Sequence, residues 1–419
     1  MPGRELNLLC LDGGGVRGLS SLYILQKLME TVNPDDPPKP CDYFDMIGGT
    51  STGGLLAIML GRLRMDVDQC IEAYIALSDR VFKKKRHFAV GLTGRTHERF
   101  DSDELATSIK DVLVQQGFGE DSLLKEPNAF CKVFVCCTSG GTSTTTLLRS
   151  YPPPRGSSSL YRVTKIWEAA RATSAASSFF DPIAIGPENR LFTDGGTGAN
   201  NPIRQLWTEA KEIWSTEPLE ENIRCIISIG TGIPSLKKFG KGIIDLGKSL
   251  LSIATETETT AELFHQEHSN LDDEGRYFRF NIPNGLADIG LEETSEKNTI
   301  VDMTDHYLST ETAHKRVKMC AKALAERISC KAIDRLPELP SYDASVFVAL
   351  ANKKEWQLSC TDPYDIFSEL STYDPERAKA FRTYQRCEGT ATWILANPDF
   401  NNWLEETGSA CLWLCGIGL

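Results

Sequence analysis

The chain has 419 residues, 41% hydrophobic and 24% charged, a balance ordinary for a globular protein with room for one large core or two smaller ones. A formal net charge of −12 excludes a basic nucleic-acid-binding domain. Thirteen cysteines without zinc-finger spacing, no secretory signal and no apolar stretch long enough to span a membrane predict reduced thiols, a cytoplasmic setting and peripheral membrane contact at most.

Leu6 to Leu11 reads as a buried first strand running into Asp12-Gly13-Gly14-Gly15-Val16-Arg17-Gly18, and Leu19 to Leu28 then carries apolar residues at helical spacing. Glycines in a strand-to-helix turn aim backbone N–H groups at whatever lies before the helix and let an anion approach closely. Gly13-x-Gly15-x-x-Gly18 satisfies a dinucleotide-phosphate fingerprint, but the acidic residue expected on a second strand is missing, since Glu30 lies in the helix. The same N–H groups suit an oxyanion hole, and a purely structural turn is the third reading.

The prolines between Asn33 and Pro40 mark a loop. Tyr43 to Ile47 reads as the end of a buried strand and Leu55 to Leu60 as the start of a buried helix. Between them, Gly49-x-Ser51-x-Gly53 fits a nucleophile elbow, in which a sharp strand-to-helix turn lifts a serine into a cleft; a glycine-rich loop without chemistry has the same pattern. Val67 to Phe82 is patterned as an amphipathic helix, followed by the basic run Lys83-Lys84-Lys85-Arg86-His87, which is either a solvated face or a contact for anionic lipid headgroups. A further helix opens within Arg99 to Glu104, with Ser102 as N-cap, and ends near Gly117.

Cys131 to Thr138 and Thr144 to Arg149 read as neighbouring strands joined through Ser139-Gly140-Gly141. After a helix from Val163 to Ala176, Arg190 to Thr193 forms a short strand that ends on Asp194, and the glycines Gly195, Gly196 and Gly198 make a turn before a helix starting at Asn201-Pro202. A carboxylate at a strand end is well placed to share a cleft with Ser51. Ile223 to Ile229 is a fully apolar strand closing on Gly230-Thr231-Gly232. The alternation predicts an α/β fold of three layers, α/β/α, around a central, mostly parallel sheet.

The stretches Asp12 to Gly18, Gly49-Thr-Ser51-Thr-Gly53 and Asp194-Gly195-Gly196 resemble, in order, the three signature motifs of the patatin-like phospholipases, and Trp167 to Ala176 resembles the segment before that family's aspartate motif. The resemblance covers about residues 5 to 330 and implies a patatin-like domain over residues 1–335. It implies Ser51 as nucleophile, Asp194 as its base in a two-residue dyad, and an oxyanion hole from Gly13, Gly14 and Gly15 helped by Arg17, with Gly49 and Gly53 shaping the elbow. The implied substrate is a phospholipid or other acyl lipid at a membrane surface; a lysophospholipid or neutral-lipid esterase and a catalytically silent lipid-binding module remain as alternatives.

None of the six histidines, His87, His97, His265, His268, His306 and His314, follows Asp194 in a strand-end loop where a triad would place one, so the aspartate must take the serine proton directly, in a partly desolvated cleft. Neither a calcium loop nor cysteine–histidine metal spacing occurs, which predicts metal-independent hydrolysis without a cofactor. Gly242 to Ile253 reads as a helix that either lines an acyl pocket or packs in the core. Residues 336–419 resemble the region preceding the P-loop in fungal proteins of the NACHT receptor type, but the chain ends at Gly416-Ile417-Gly418-Leu419 without the P-loop lysine, so nucleotide binding is not expected.

Overall fold

The computed structural model describes residues 6–82, 100–176, 179–214, 218–233, 244–283 and 285–325, with side chains omitted for 244–254. The chain divides into a compact unit, Met1–Lys331, and a second, Ala332–Leu419. All described residues belong to the first. The basic run 83–87, two histidines at 87 and 97, and the whole C-terminal segment fall outside them.

The described residues form an eight-stranded sheet: β1 (Leu6–Leu11), β2 (Met46–Thr50), β3 (Lys132–Ser139), β4 (Thr145–Arg149), β5 (Ile183–Ile185), β6 (Arg190–Asp194), β7 (Ile223–Ile229) and β8 (Tyr277–Phe280). The run β3-β2-β1-β7-β8 is parallel throughout, while β4, β5 and β6 add an antiparallel flank. This is an α/β fold with helices on both faces of a mostly parallel sheet. The period of two divides β1 between two cores: Leu9 and Leu11 pack on one face, and Leu6, Leu8 and Cys10 on the other. The helices Gly18–Val32, Val67–Val81, Lys297–Ser309 and Glu311–Ala325 cover the first face, and Ile203–Trp214 with the end of Ile244–Glu267 covers the second.

Some elements differ from the sequence reading. The second strand starts at Met46, after a short helix Pro40–Tyr43, and runs through Gly48 and Gly49 to Thr50. Glycine occupies the strand because Phe134 of the neighbouring β3 lies over it: a Cβ on Gly48 would come within 2.2 Å of that ring. The helix Ser102–Gln115 is capped by Asp101, whose carboxylate accepts from the N–H groups of Asp103 and Glu104. The helix expected from Val163 to Ala176 is two, Ser159–Val163 and Ile166–Thr173. Strands β5 and β8 had no counterpart in the sequence reading.

Candidate active site

The register of β3 brings the two chemical motifs together. β2 pairs with β3 as far as Thr50 opposite Cys136, and β6 takes up the next position, with Asp194 opposite Cys137. β4 pairs with both Cys136 and Cys137 from the other side, so β2 and β6 must share one edge of β3 and meet end to end. Ser51, the residue after β2, therefore stands beside Asp194, the last residue of β6.

Ser51 has φ 53° and ψ −125°, a conformation that side-chain-bearing residues adopt only under constraint and that costs roughly 1–3 kcal/mol. Three hydrogen bonds impose it. The Ser51 N–H donates to Thr173 Oγ1 at 2.9 Å, the Thr173 hydroxyl donates to the Cys136 carbonyl at 2.7 Å, and the Leu55 N–H donates to the Ser51 carbonyl at 3.0 Å. The flanking glycines leave the necessary room: a Cβ on Gly53 would lie 2.2 Å from the Leu11 carbonyl oxygen, and one on Gly49 would lie 2.0 Å from that of Gly53. The result is a serine lifted onto the start of the helix Thr52–Ala57.

Asp194 is 9% exposed. Its Oδ1 accepts from the Gly196 N–H at 2.6 Å, whereas Oδ2 is buried without a completed hydrogen bond. Burial pushes the carboxyl pKa up from 3.8 to about 6, and the nearby Ser51 hydroxyl and the Gly196 N–H offset only part of that rise. The pair is thus adjacent but not locked, a common state for catalytic groups before substrate arrives. The described histidines are engaged elsewhere or lie on late helices: His265 meets Asp272 at 3.2 Å, and His268 meets Glu220 at 3.4 Å.

The glycine loop between β1 and the helix Gly18–Val32 lies against the elbow. A Cβ on Gly13 would come 3.1 Å from Ser51 Cβ. The loop corrects one expectation: the Gly13 N–H is not available to an oxyanion, because it donates to the Asn200 carbonyl at 3.0 Å. The Val16 N–H is likewise committed to the Leu291 carbonyl at 2.8 Å. Gly14 and Gly15 donate their N–H groups to no acceptor among the described residues. Arg17 is also bound differently from expectation. Its Nε donates to the Gly14 carbonyl at 3.0 Å, and burial lowers its pKa to about 10 while Asp288 and Tyr74 work the other way. The guanidinium thus braces the loop from within the fold.

Beneath the loop, Asp12 pairs with Arg279 at 2.7 Å, and Arg279 also meets Glu258 at 2.9 Å. Burial pushes Asp12 up to about 6, with Arg279 offsetting part of the rise, and the buried ion pair is charged at neutral pH. Thr173, Asn200, Thr231, Leu291 and Arg279 were not singled out as site residues in the sequence reading. Thr231 had a local sign, its place between two glycines at the end of a buried strand, and Thr173 lies within the resembling segment Trp167 to Ala176.

In front of Ser51 opens a cleft of about 40 Å³, bounded by Gly15 and Thr52 on the polar side and by Leu77, Val81, Phe82, Phe179, Phe180 and Leu291 on the apolar side. That is room for about three waters. An apolar slot ending on a strained serine beside a desolvated carboxylate is suited to acyl transfer from an ester with a hydrocarbon tail. Among the described residues, no group of three or more His, Cys, Asp or Glu side chains is arranged to hold a metal ion.

Comparison with known proteins bears on the same residues. The sequence matches the family described as patatin-like phospholipase over residues 9–207, a span holding the glycine loop, Ser51 and Asp194. That span is a patatin-like phospholipase domain. The patatin-like chain is 31% identical over 330 residues to the calcium-independent phospholipase A2-gamma of Mus musculus, a match covering 78% of this chain and 41% of the relative. It is 28% identical over 358 residues to phospholipase A I of Arabidopsis thaliana, covering 70% of this chain and 26% of that protein. The chain therefore spans less than half the length of these curated relatives. Among solved structures, VipD from Legionella pneumophila aligns with a TM-score of 0.32 and 11% identity over 89% of this chain and 81% of that one, too weak to add to the family match.

Proposed function

We propose that this patatin-like domain is a serine hydrolase that cleaves fatty-acyl esters of glycerophospholipids through Ser51 and Asp194, without a metal ion. The observation that carries the reading is the strained Ser51 set beside a buried carboxylate whose pKa of about 6 suits a general base at neutral pH, with neither residue hydrogen-bonded to a histidine among the described residues. As Ser51 Oγ bonds to the ester carbonyl carbon, its proton passes to Asp194. The tetrahedral intermediate collapses, the lysolipid alkoxide leaves with that proton, and an acyl-enzyme remains. Water then attacks the acyl carbon, giving its proton to Asp194, and the return of the proton to Ser51 frees the fatty acid. The N–H groups of Gly14 and Gly15 are the donors available to the oxyanion of both intermediates.

The substrate bilayer is met peripherally in this reading; among the described residues, no helix is long and apolar enough to cross a membrane. Residues 1–335 are assigned in this reading to the patatin-like domain, and residues 336–419 to a C-terminal extension.

The test is fatty-acid release from phosphatidylcholine vesicles in excess chelator. Wild-type activity is expected to persist, and both Ser51→Ala and Asp194→Asn are expected to lose on the order of 10³-fold or more. Activity that needs an added metal, or that survives Ser51→Ala, sinks the proposal. Rapid labelling by a fluorophosphonate without phosphatidylcholine hydrolysis redirects it to lysophospholipid or neutral-lipid esters. No labelling leaves the lipid-binding module.

A further inference from the structure

The peptide groups of the glycine loop are held by their carbonyls; that of Gly15 accepts from Thr52 Oγ1 at 3.0 Å and from the Tyr74 hydroxyl at 2.6 Å. The Gly14 carbonyl accepts from Arg17, through Nε at 3.0 Å and through the main-chain N–H at 3.3 Å. The Gly13 carbonyl accepts from Thr231 Oγ1 at 2.8 Å and from Asn200 Nδ2 at 3.3 Å. In a trans peptide the C=O and the following N–H point in opposite directions. Fixing the Gly13 oxygen therefore fixes the Gly14 N–H, turned away from β7. Thr231 also presses on the loop from the side, since a Cβ on Gly14 would fall within 2.2 Å of its hydroxyl oxygen. The Thr231 side chain is buried and gives its hydroxyl hydrogen to this one carbonyl. Asn200 is shared: its carbonyl takes the Gly13 N–H and its amide also donates to Thr257 Oγ1 at 2.8 Å.

We propose that Thr231, supported by Asn200, is a positioning residue that sets the direction of the Gly14 N–H toward the developing oxyanion. Thr231 touches neither substrate nor nucleophile; it acts through one peptide plane. The inference rests on the acyl-hydrolase reading above and adds to it a residue outside the matched family span of 9–207. Because the oxyanion exists in the transition state and not in the bound ester, loss of this orientation lowers kcat and leaves KM nearly unchanged.

The experiment compares Thr231→Val and Thr231→Ser with wild type and Ser51→Ala in the full chain, on a soluble p-nitrophenyl acyl ester, with thermal melts of each. An acyl trifluoromethyl ketone, which adds to the serine to form a tetrahedral oxyanion, serves as the transition-state probe. The expected result for Thr231→Val is a kcat lower by about 10- to 100-fold, KM within about twofold, and a Ki for the ketone that rises in step with the loss. Thr231→Ser, which keeps the hydroxyl, is expected to stay near wild type. The inference is overturned if Thr231→Val retains wild-type kcat while Ser51→Ala is dead. It is overturned equally if Thr231→Val and Thr231→Ser lose activity together and only in proportion to lost folded protein. A wild type no faster than Ser51→Ala on any ester removes the acyl-hydrolase reading, and this role for Thr231 with it.

Discussion

The two sides of the cleft are built differently. On the polar side, the glycine loop and the elbow are fastened through backbone atoms: Gly13, Gly14, Gly15 and Val16 are each tied by a hydrogen bond, and the Ser51 peptide is tied to Thr173. On the apolar side the wall consists of side chains, among them Phe82, Phe179 and Phe180, each packed against the buried ring of Phe100. Backbone hydrogen bonds are directional, whereas the rings meet through non-polar contacts at centroid distances of 5.3–6.2 Å. The groups proposed for the chemistry are held through the backbone, and the surface proposed to meet the acyl chain is built from packed side chains.

The largest expected effect comes from adding one atom to the polar side. Gly53→Ala drives a methyl group into the carbonyls of Leu11 and Asp12, at 2.2 and 2.6 Å, and backbone cannot swing aside. The variant is expected to lose more than about 4 kcal/mol of stability, read by denaturant unfolding. Retention of a wild-type midpoint would show that the elbow is looser than described.

Next comes Asp194, the proposed base. Asp194 has its carboxyl raised from 3.8 to about 6 by burial, so in the folded chain the charged form is disfavoured. A group of this kind holds back stability above its folded pKa and stops doing so below its unfolded one. Asp194→Asn is therefore expected to be more stable than wild type by about 3 kcal/mol at pH 8, with the gap closing as pH falls from about 6 toward 4. Activity runs the other way. In wild type kcat/KM should rise with pH and level off above about 6, where Asp194 can accept a proton. A wild-type profile flat from pH 5 to 8 would remove Asp194 from the role of base.

The smallest effect belongs to the apolar side. Phe179 and Phe180 form part of the apolar lining of the cleft in front of Ser51. Phe180→Leu removes one ring edge from that wall and is expected to cost only about 1–2 kcal/mol of stability, while raising kcat/KM a few-fold for long-chain over short-chain esters. An unchanged chain-length profile would place the acyl chain elsewhere.

The sequence was most readable where chemistry and chain punctuation coincide. Ser51 between glycines, Asp194 at a strand end, the Lys132–Ser139 and Thr145–Arg149 hairpin, and the apolar β1 and β7 are all local patterns. The partners of the site's supports were not readable, because each support is one polar residue or backbone group brought in by the fold: Thr173 under the elbow, Asn200 and Thr231 on the Gly13 carbonyl, Leu291 on the Val16 N–H. Nothing in the neighbours of Leu291 announces that its carbonyl will accept from a residue 275 positions earlier, the difference between 291 and 16. Gly13 was misread for the same reason, since a glycine-rich turn says that N–H groups are exposed to partners but not which partner takes them.

The end-to-end meeting of β2 and β6 on one edge of β3 has a consequence for the protein during its own synthesis. Ser51, the proposed nucleophile, is made early and Asp194, its proposed base, some 140 residues later, while the loop facing them is clamped by residues 200, 231 and 291. A nascent chain carrying only the elbow has a serine without a proton acceptor and a glycine loop without its clamps. On the proposed reading, catalytic competence is therefore a late, collective event that waits for the chain through Leu291 to fold together.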